Sequence, residues 1–439
     1  MVSAKEDKSL IRNIRLSSVG PGNATGSDVI HEPSGMDLAM KLHYLIGVYL
    51  FKKHAVEGFS TKVIKESMFY LLNEYYVTCG RFRRPDSGRP YMKCNDCGVR
   101  FVEAECEKTV DEWVEMRDYS LNKHLVYHLP IGPELSFSPS VYLQITRFKC
   151  GGMSLGLSWA HVLGDAQSAC NFVNTWGQVI SKIQSHGPPY LPRPIPPPSP
   201  TEKPESQLAH AKTEYPLSIH RVDPVGDHWV TANNFEMDTL SFHLTAAQIT
   251  HLQSKHDQAI PVFEFLAAVI WKCIAKIRDA AEAESTKIVT LCKTDPDNPR
   301  TGKLSNSQIV STVEADFSIS NADLEKLAKL LAEEGIDERG QIERAVEDDG
   351  GASDYVVYGG NLTFVNLEEV DSYGVEVNGN KAELVWCGIE GVADKGAVVV
   401  TEDSGGKGRL VTVILPEHEV VKLKPELKNN GLLLDTDID

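Results

Sequence analysis

A proline-rich stretch near the middle of the chain limits its fold more than any other feature. Prolines stand at positions 188, 189, 192, 194, 196, 197, 198, 200 and 204. Such a stretch is extended, because proline fixes φ and lacks the amide hydrogen that a helix or a central strand requires. We therefore expect a crossover linker over residues 187–215 between two domains. A long loop within one domain is the alternative, but the central position favours the crossover.

The linker divides the 439 residues into segments that each suit a domain of about 100–200 residues. We assign residues 36–186 to an N-terminal domain and residues 216–439 to a C-terminal domain. Residues 1–35 are polar and rich in Gly, Ser and Asn, which predicts a mobile tail that leads into a first strand. Helical and strand patterns occur in both domains, so the predicted fold class is α/β in the broad sense, that is, α+β with mixed sheets.

The spacing of apolar residues predicts the individual elements. Alternation of apolar and polar residues predicts two strands, Val141–Phe148 and Met153–Trp159, which the turn at Cys150–Gly152 joins into a hairpin. A helix follows from about Asp165 to Ile183. The other predicted elements are helices at Lys62–Tyr76, Val262–Arg278, Leu324–Glu334 and Glu417–Leu427, a strand at Leu240–Leu244, and a hairpin of Ala397–Thr401 with Leu410–Ile414.

The composition argues against several classes of protein. The formal net charge is −17, and an acidic chain repels phosphate backbones, so we expect no nucleic-acid partner. The first residues lack the apolar core of a signal peptide, and no run reaches the ~20 apolar residues that a spanning helix requires. We therefore expect a cytosolic chain with no transmembrane segment of its own, which reaches a membrane only through a partner.

The cysteines favour a reducing compartment. Their number, 9, is odd, and they are scattered over a long chain, as is typical of reduced thiols in the cytosol. Cys94 and Cys97 form the one close pair. A zinc site needs a second pair or histidines at ligand spacing, and a redox pair would open a helix, whereas this pair lies between strand-like segments. We interpret it as a turn between strands and expect no metal site.

One histidine is distinguished by its surroundings. Asp165 follows His161 by four residues, a spacing that about one histidine in a chain with this many would show by chance. The position of His161 after Trp159–Ala160, at the end of a buried strand, is more informative. A strand end holds a side chain rigidly at a domain edge, and a general base requires such positioning. The alternative is a histidine whose hydrogen bonds are satisfied at a strand end.

Acyl transfer is the chemistry that such a histidine supports. Neutral imidazole, with an unperturbed pKa of ~6.5, takes the proton from a hydroxyl or amine as it attacks a thioester carbonyl. No nucleophilic serine or cysteine is required. His161 is therefore the candidate general base. We expect Asp165 to have a structural role, in which it caps the following helix and pairs with a cation.

The motif and its surroundings resemble a known family. Residues 161–165 read His-Val-Leu-Gly-Asp and are similar to the HxxxD motif of the BAHD family of plant acyl-CoA-dependent acyltransferases. Leu157–Ala160 resembles the family's preceding strand, and Phe263–Cys273 resembles its buried helix. The resemblance covers nearly the whole chain. It implies two chloramphenicol-acetyltransferase-like domains with a channel between them, His161 as the catalytic base, Asp165 as the structural aspartate, and acyl-CoA as a possible substrate with no bound cofactor.

Three positions differ from the family pattern. Ala166 follows the motif aspartate where the family usually has glycine. The family's DFGWG loop falls near Asp371–Val375, where only Asp371 and Gly374 match it. Where the family often has an arginine that pairs with the aspartate, this chain has Lys293, a cation that can substitute for the arginine but lacks its bidentate guanidinium. The histidine is kept while the elements around it differ.

These differences resemble one clade of the family, the Eceriferum and Glossy-type proteins of cuticular wax formation. Met36–Tyr44, Phe148–Gly152 and Asn361–Leu367 are similar to it. The resemblance implies a role in very-long-chain fatty acid elongation, in which the chain modulates the product length of a condensing enzyme, the ketoacyl-CoA synthase of the elongase. It also implies a location at the cytoplasmic face of the endoplasmic reticulum through that partner, or in the cytosol.

Two other functions are compatible with the sequence. One is an active acyl-CoA-dependent transferase that moves an acyl group to a hydroxyl or amine, with His161 as the base. The other is an interaction module that binds no acyl ligand at all.

Overall fold

The structure is a computed structural model. It describes residues 10–85, 88–186, 215–254, 257, 259–278, 286–295, 304–333 and 335–433. The proline-rich linker predicted over residues 187–215 lies outside the described residues except for Tyr215.

The described chain alternates strands and helices throughout. The strands are β1 (Ile11–Val19), β2 (Ile30–His31), β3 (Tyr44–Phe51), β4 (Arg81–Arg83), β5 (Tyr91–Lys93), β6 (Val99–Cys106), β7 (Val141–Phe148), β8 (Met153–Ala160), β9 (His220–Val222), β10 (Met237–Leu244), β11 (Ile288–Lys293), β12 (Ile309–Glu314), β13 (Ile336–Asp337), β14 (Asp354–Val356), β15 (Leu362–Asn366), β16 (Glu376–Val377), β17 (Asn380–Lys381), β18 (Leu384–Glu390), β19 (Ala397–Glu402) and β20 (Arg409–Pro416). The α-helices are α1 (Gly35–Ala39), α2 (Thr61–Glu74), α3 (Val110–Glu115), α4 (Ala166–His186), α5 (Ala246–Gln253), α6 (Val262–Ile277), α7 (Leu324–Glu333), α8 (Arg339–Asp348) and α9 (Glu417–Asn429).

A six-stranded mixed sheet forms the centre of the N-terminal half. Its strand order is β1-β6-β7-β8-β3-β18, and β6 and β7 are parallel while the other neighbours are antiparallel. Every residue of β3 and of β8 is buried. Strands that are covered on both faces favour continuous apolar sequence over alternation, and β3 is of that kind. β8 alternates apolar residues with Ser154, Gly156 and Ser158, which are small enough to be buried on the second face. Helices α2 and α4 pack against each other beside the sheet.

A strand from the C-terminal half completes this sheet. β18 pairs antiparallel with β3 along its whole length, from Leu384 opposite Leu50 to Glu390 opposite Tyr44. The assignment of residues 216–439 to a separate C-terminal domain is therefore wrong for this strand. Tertiary packing decides that β18 lies beside β3, and the local sequence pattern of β18 does not indicate this neighbour.

A seven-stranded mixed sheet forms the centre of the C-terminal half. Its order is β10-β20-β19-β15-β11-β12-β13. The apolar helix α6 packs against this sheet, and its residues Phe263 to Trp271 are all buried. One hydrophobic core lies around α6, while a second core contains residues from both halves of the chain. The predicted class, α+β with mixed sheets, is confirmed.

The N-terminal segment differs from the prediction of a polar tail over residues 1–35. Residues 11–19 form β1, which pairs antiparallel with β6 as the edge of the first sheet. Residues 35–39 form α1, whose first turn is closed by a capping box between Ser34 and Asp37. The prediction failed because β1 is exposed at most of its positions, so an edge strand carries the polar composition that also marks a tail.

The other predicted elements are confirmed within a few residues at their ends. The hairpins β7–β8 and β19–β20 and the helices α2, α4, α6, α7 and α9 all form where the apolar pattern placed them. Cys94 and Cys97 lie between β5 and β6, as the interpretation of a turn between strands requires, and both are free thiols. No helix among the described residues is long and apolar enough to cross a membrane.

A buried ion pair joins the two halves. Lys41, just after α1, places its Nζ 2.7 Å from Oδ1 of Asp354 in β14, and the two side chains are 0% and 1% exposed. The same Nζ donates to the carbonyl oxygen of Ser353 at 3.0 Å. Removing one partner of such a pair leaves an uncompensated buried charge, which usually costs about 3–5 kcal/mol.

We therefore expect Lys41→Met to lower the free energy of unfolding by about 3–5 kcal/mol, measured by urea denaturation followed by fluorescence. Lys52→Met is the matched control, because Lys52 pairs with Asp111 and Glu383 at the exposed surface and should change stability little. Equal losses of unfolding free energy in Lys41→Met and Lys52→Met would show that the buried pair of Lys41 stabilises the fold no more than an exposed pair does.

Candidate functional site

The hairpin β7–β8 delivers His161 to the boundary between the two halves. The backbone N–H of His161 donates to the carbonyl oxygen of His43 at 3.0 Å, which ties the end of β8 to the start of β3. Residues His161–Leu163 then form one 3₁₀ turn that ends at Gly164. Gly164 has a φ of 151°, and a Cβ there would lie 2.8 Å from the side chain of Ser168, so the motif requires glycine at this position.

The imidazole of His161 is completely buried and directed at one partner. Nε2 lies 2.8 Å from the hydroxyl oxygen of Tyr358, which precedes β15. Nδ1 has no hydrogen-bond partner among the described residues. In the tautomer with hydrogen on Nδ1, Nε2 carries the lone pair and accepts the hydroxyl of Tyr358.

The hydroxyl of Tyr358 has a second partner, Gln308. The side-chain amide nitrogen of Gln308 lies 3.1 Å from the hydroxyl oxygen. A consistent assignment is that Gln308 donates to the hydroxyl and that the hydroxyl donates its one hydrogen to Nε2 of His161. All three side chains are buried. The three form a short hydrogen-bonded row from the C-terminal half to the histidine.

The imidazole is neutral in this environment. Burial lowers the pKa of His161, and the carboxylates of Asp165 and Asp37 oppose that shift without reversing it. Burial also raises the pKa of the Tyr358 hydroxyl well above its usual range, so the phenol keeps its proton. A neutral imidazole with a free lone pair on Nε2 is the form that accepts a proton in acyl transfer.

A second buried histidine holds the backbone around Tyr358. Nε2 of His43 accepts the backbone N–H groups of Val357 and Tyr358, at 3.0 and 3.2 Å, and Nδ1 lies 3.0 Å from the carbonyl oxygen of Gly391. Burial lowers the pKa of His43 to about 3. His43 is therefore neutral, and it connects β3 to the segment that carries Tyr358.

Asp165 lies in the turn rather than at the reactive nitrogen. Its Oδ1 accepts the backbone N–H of Ser168 at 3.0 Å, which caps α4, and its Oδ2 accepts the N–H and hydroxyl of Ser307 at 3.1 and 3.0 Å. These contacts fix the turn after His161 against the C-terminal half. The suggestion that Lys293 takes the place of the family's arginine is wrong, because its Nζ instead lies 2.6 Å from the carboxylate of Glu264.

Asp371 and Gly374 lie in a loop that packs against α4 and β18, and no described contact joins them to His161. Asn174 of α4 donates to the carbonyl oxygen of Asp371 at 3.1 Å. A Cβ on Gly374 would lie 2.0 Å from the carboxylate of Asp371, so the loop closes only with glycine there. Between them, the hydroxyl of Tyr373 accepts the backbone N–H of Val385 in β18 at 3.0 Å.

A narrow apolar cavity of about 30 Å³ lies between the two halves, next to this row. β3, β8 and α4 form one wall, and β15, β18 and the loop before Ser372 form the other. Most of the lining is aliphatic, and Gln308 and Tyr358 supply polar groups at the end that faces His161. The cavity therefore reaches Tyr358, while His161 lies behind that residue.

Sequence reasoning missed Tyr358, Gln308 and His43. Their contacts join residues 197 positions apart in one case and 314 in another, so no local pattern contains them. Two segments linked to the family lie at these residues: Met36–Tyr44 contains His43, and Asn361–Leu367 begins three residues after Tyr358, but neither indicated a role for these side chains. Among the described residues, no group of three or more His, Cys, Asp or Glu side chains could hold a metal ion.

The fold is that of two chloramphenicol-acetyltransferase-like domains, as the comparison with solved structures shows. The crystal structure of vinorine synthase matches with a TM-score of 0.67 at 16% identity, covering 95% of this chain and 98% of that one. TRI101 of F. sporotrichioides, solved with coenzyme A and T-2, matches with a TM-score of 0.64 at 14% identity, covering 90% of this chain and 97% of that one. At these identities the likeness concerns the fold.

The sequence comparisons define the family. The model of the Transferase family matches residues 31–294. Protein ECERIFERUM 26 of Arabidopsis thaliana is 45% identical over 96% of this chain and 96% of its own length, and Protein ECERIFERUM 26-like of the same species is 42% identical over 98% of each. The chain belongs to the Transferase family, the BAHD acyltransferases, and within it to the Eceriferum clade.

The buried histidines should make stability depend on pH. Unfolded His43 has a pKa near ~6.5, whereas in the fold its pKa is about 3, so between these values unfolding takes up a proton. We expect the free energy of unfolding to fall as the pH is lowered from 7.5 to 5. The contribution of His43 approaches ~1.4 kcal/mol per pH unit below its unfolded pKa.

His43→Gln keeps an acceptor and a donor at this position. It should reduce the dependence of the unfolding free energy on pH, measured by urea denaturation at pH 7.5, 6 and 5. His54→Gln is the control, because His54 is exposed in the fold. If the unfolding free energy of His43→Gln depends on pH as steeply as that of the unaltered chain, His43 does not resist protonation in the folded state.

Proposed function

We propose that this chain acts in very-long-chain fatty acid elongation for cuticular wax biosynthesis and modulates the chain length that the condensing enzyme of the elongase reaches. The observation that carries the proposal is the apolar cavity between the two halves, in a chain that is 39–45% identical to three Eceriferum proteins over nearly its full length. Its partners are then a ketoacyl-CoA synthase and an acyl-CoA.

The lining of the cavity matches the hydrocarbon part of an acyl thioester, because its walls are almost entirely apolar and each methylene that leaves water for such a site contributes about 0.8 kcal/mol. The walls must move apart to admit a long chain, because the free volume between them is small. A protein that binds the growing acyl group in this way changes the acyl-chain length at which the condensing enzyme releases its product.

The partner also accounts for the location that we propose. A chain without a spanning helix of its own reaches the cytoplasmic face of the endoplasmic reticulum by binding a ketoacyl-CoA synthase that resides there. The cytosol is the alternative location when that partner is absent.

An active acyl-CoA-dependent acyltransferase is the second candidate. The neutral imidazole of His161, with its lone pair on Nε2, favours it. In that function His161 takes the proton of an acceptor hydroxyl or amine, while Asp165 keeps its structural role in the turn.

Filling the cavity should shorten the products. Ala169 of α4 lines the cavity and is 5% exposed. Ala169→Leu places a larger side chain where the acyl group would lie. We expect the longest fatty acids to lose one or more elongation cycles when this variant replaces the unmodified chain beside a ketoacyl-CoA synthase in yeast, measured by gas chromatography of fatty acid methyl esters.

Gln178→Leu is the matched control, because it makes the same residue on the exposed face of the same helix. Unaltered product lengths with Ala169→Leu, in a chain that still folds and accumulates, would contradict the use of the cavity.

His161→Ala separates the two candidate functions in the same yeast assay. We expect the variant to keep its effect on chain length, since modulation requires binding and not a base. A complete loss would favour the transferase. His128→Ala serves as the control, because His128 is a half-buried histidine of the N-terminal half, hydrogen-bonded to Ser158 at 2.8 Å and not to Tyr358.

A further inference from the structure

We infer that Tyr358 occupies the acceptor position of His161 and so keeps a bound acyl thioester from being transferred or hydrolysed. The occupied position follows from the geometry alone. The protection of a thioester rests in addition on the proposed function, in which the chain binds an acyl-CoA that must be returned intact for the next cycle.

The hydroxyl of Tyr358 lies where a substrate hydroxyl would have to lie. A general base must be about 2.6–3.2 Å from the atom whose proton it takes, and the Tyr358 oxygen is 2.8 Å from Nε2 of His161. Nδ1 is buried and has no hydrogen-bond partner among the described residues, so Nε2 is the ring nitrogen that meets the C-terminal half. The cavity ends at Tyr358 and Gln308 and does not include His161 among its lining residues.

The chemistry of transfer shows what this contact prevents. In that reaction the acceptor oxygen bonds to the thioester carbon while its proton passes to Nε2. The carbon–sulfur bond then breaks, and the thiolate of coenzyme A takes up that proton. With the phenol in place, no alcohol or water reaches Nε2, so neither transfer nor hydrolysis begins.

The phenol is itself a poor acceptor. Its oxygen lies 2.8 Å from Nε2 of His161, 3.1 Å from the amide nitrogen of Gln308 and 3.3 Å from the amide oxygen of Gln308, so its one hydrogen and its lone pairs all have partners. Burial keeps the hydroxyl protonated, as the raised pKa indicates.

Tyr358 is also held too firmly to move aside for an incoming substrate. Its side chain is 0% exposed, and its ring lies between the imidazoles of His43 and His161, with centroids 4.8 and 5.5 Å away. Its backbone N–H is bonded to His43, and the next residue, Gly359, donates its N–H to the hydroxyl of Thr363. Swinging the ring out would break the hydrogen bonds and leave a void in the core.

Chemical modification of His161 tests the occupied position without any assumption about function. Diethyl pyrocarbonate acylates neutral imidazole nitrogen, and tryptic cleavage after Lys149 and Lys182 releases a peptide whose only histidine is His161. We expect this peptide to stay unmodified in the unaltered chain and to react at least about tenfold faster in Tyr358→Ala, measured by mass spectrometry under native conditions.

Tyr355→Ala is the matched control, because Tyr355 is also buried and hydrogen-bonded but contacts Asp349 and Ala345 instead of His161. Where Tyr358→Ala does not fold, Tyr358→Phe removes only the hydroxyl and should still raise the rate above that of Tyr355→Phe. Ready modification of His161 in the unaltered chain, or equal rates in the Tyr358 and Tyr355 variants, would overturn the inference.

Turnover of stearoyl-CoA tests the consequence. We expect no release of free coenzyme A thiol by the unaltered chain, a measurable release by Tyr358→Ala, and none by the double variant His161→Ala/Tyr358→Ala. Release by the unaltered chain that requires His161 would overturn the protective role.

A failure of the proposed function is distinguishable from these outcomes. It would appear as unchanged product lengths in the yeast assay, while the modification rate of His161 still decides whether Tyr358 occupies the base.

Discussion

The backbone pairing of β3 with β18 is the interaction on which the rest of the structure depends. It joins the last third of the chain to the first sheet, so that a strand of the C-terminal half completes the sheet of the N-terminal half. Because β18 lies beside β3, its residues Cys387 to Ile389 form a wall of the apolar cavity opposite α4. The same arrangement brings the segment before β15 over the end of β8, which is why Tyr358 meets His161. The cavity and the histidine contact are thus consequences of one strand pairing.

Local patterns predicted most of the elements but not how they combine. The hairpin β7–β8 and the helix α6 follow from alternation and from continuous apolar sequence, which depend only on neighbouring residues. Strand β1 was missed because an edge strand that is exposed at most positions has the composition of a tail. The pairing of β18 with the sheet of the N-terminal half depends on the burial of β3. A short stretch of sequence does not indicate such a long-range contact.

The residues of the candidate site also divide into those that the local sequence predicted and those that it did not. His161 and Asp165 were found because they lie four positions apart in one turn, and their family motif is local. Lys293 was wrongly assigned, since the choice between two carboxylates, Asp165 and Glu264, is decided by tertiary placement. Tyr358 and Gln308 come from distant segments whose only link to His161 is the fold. The residues that control the environment of the base are therefore the ones that sequence reasoning does not reach.

The position of β18 in the chain also has a consequence for biosynthesis. β3 leaves the ribosome about 330 residues before β18, and at ~10 residues per second this interval lasts about half a minute. Throughout that time one side of β3, a strand buried at every position in the finished protein, has no partner. An unpaired apolar edge is a template for association with other chains. Nascent chains of this protein therefore carry an unpaired apolar edge until β18 has been synthesised.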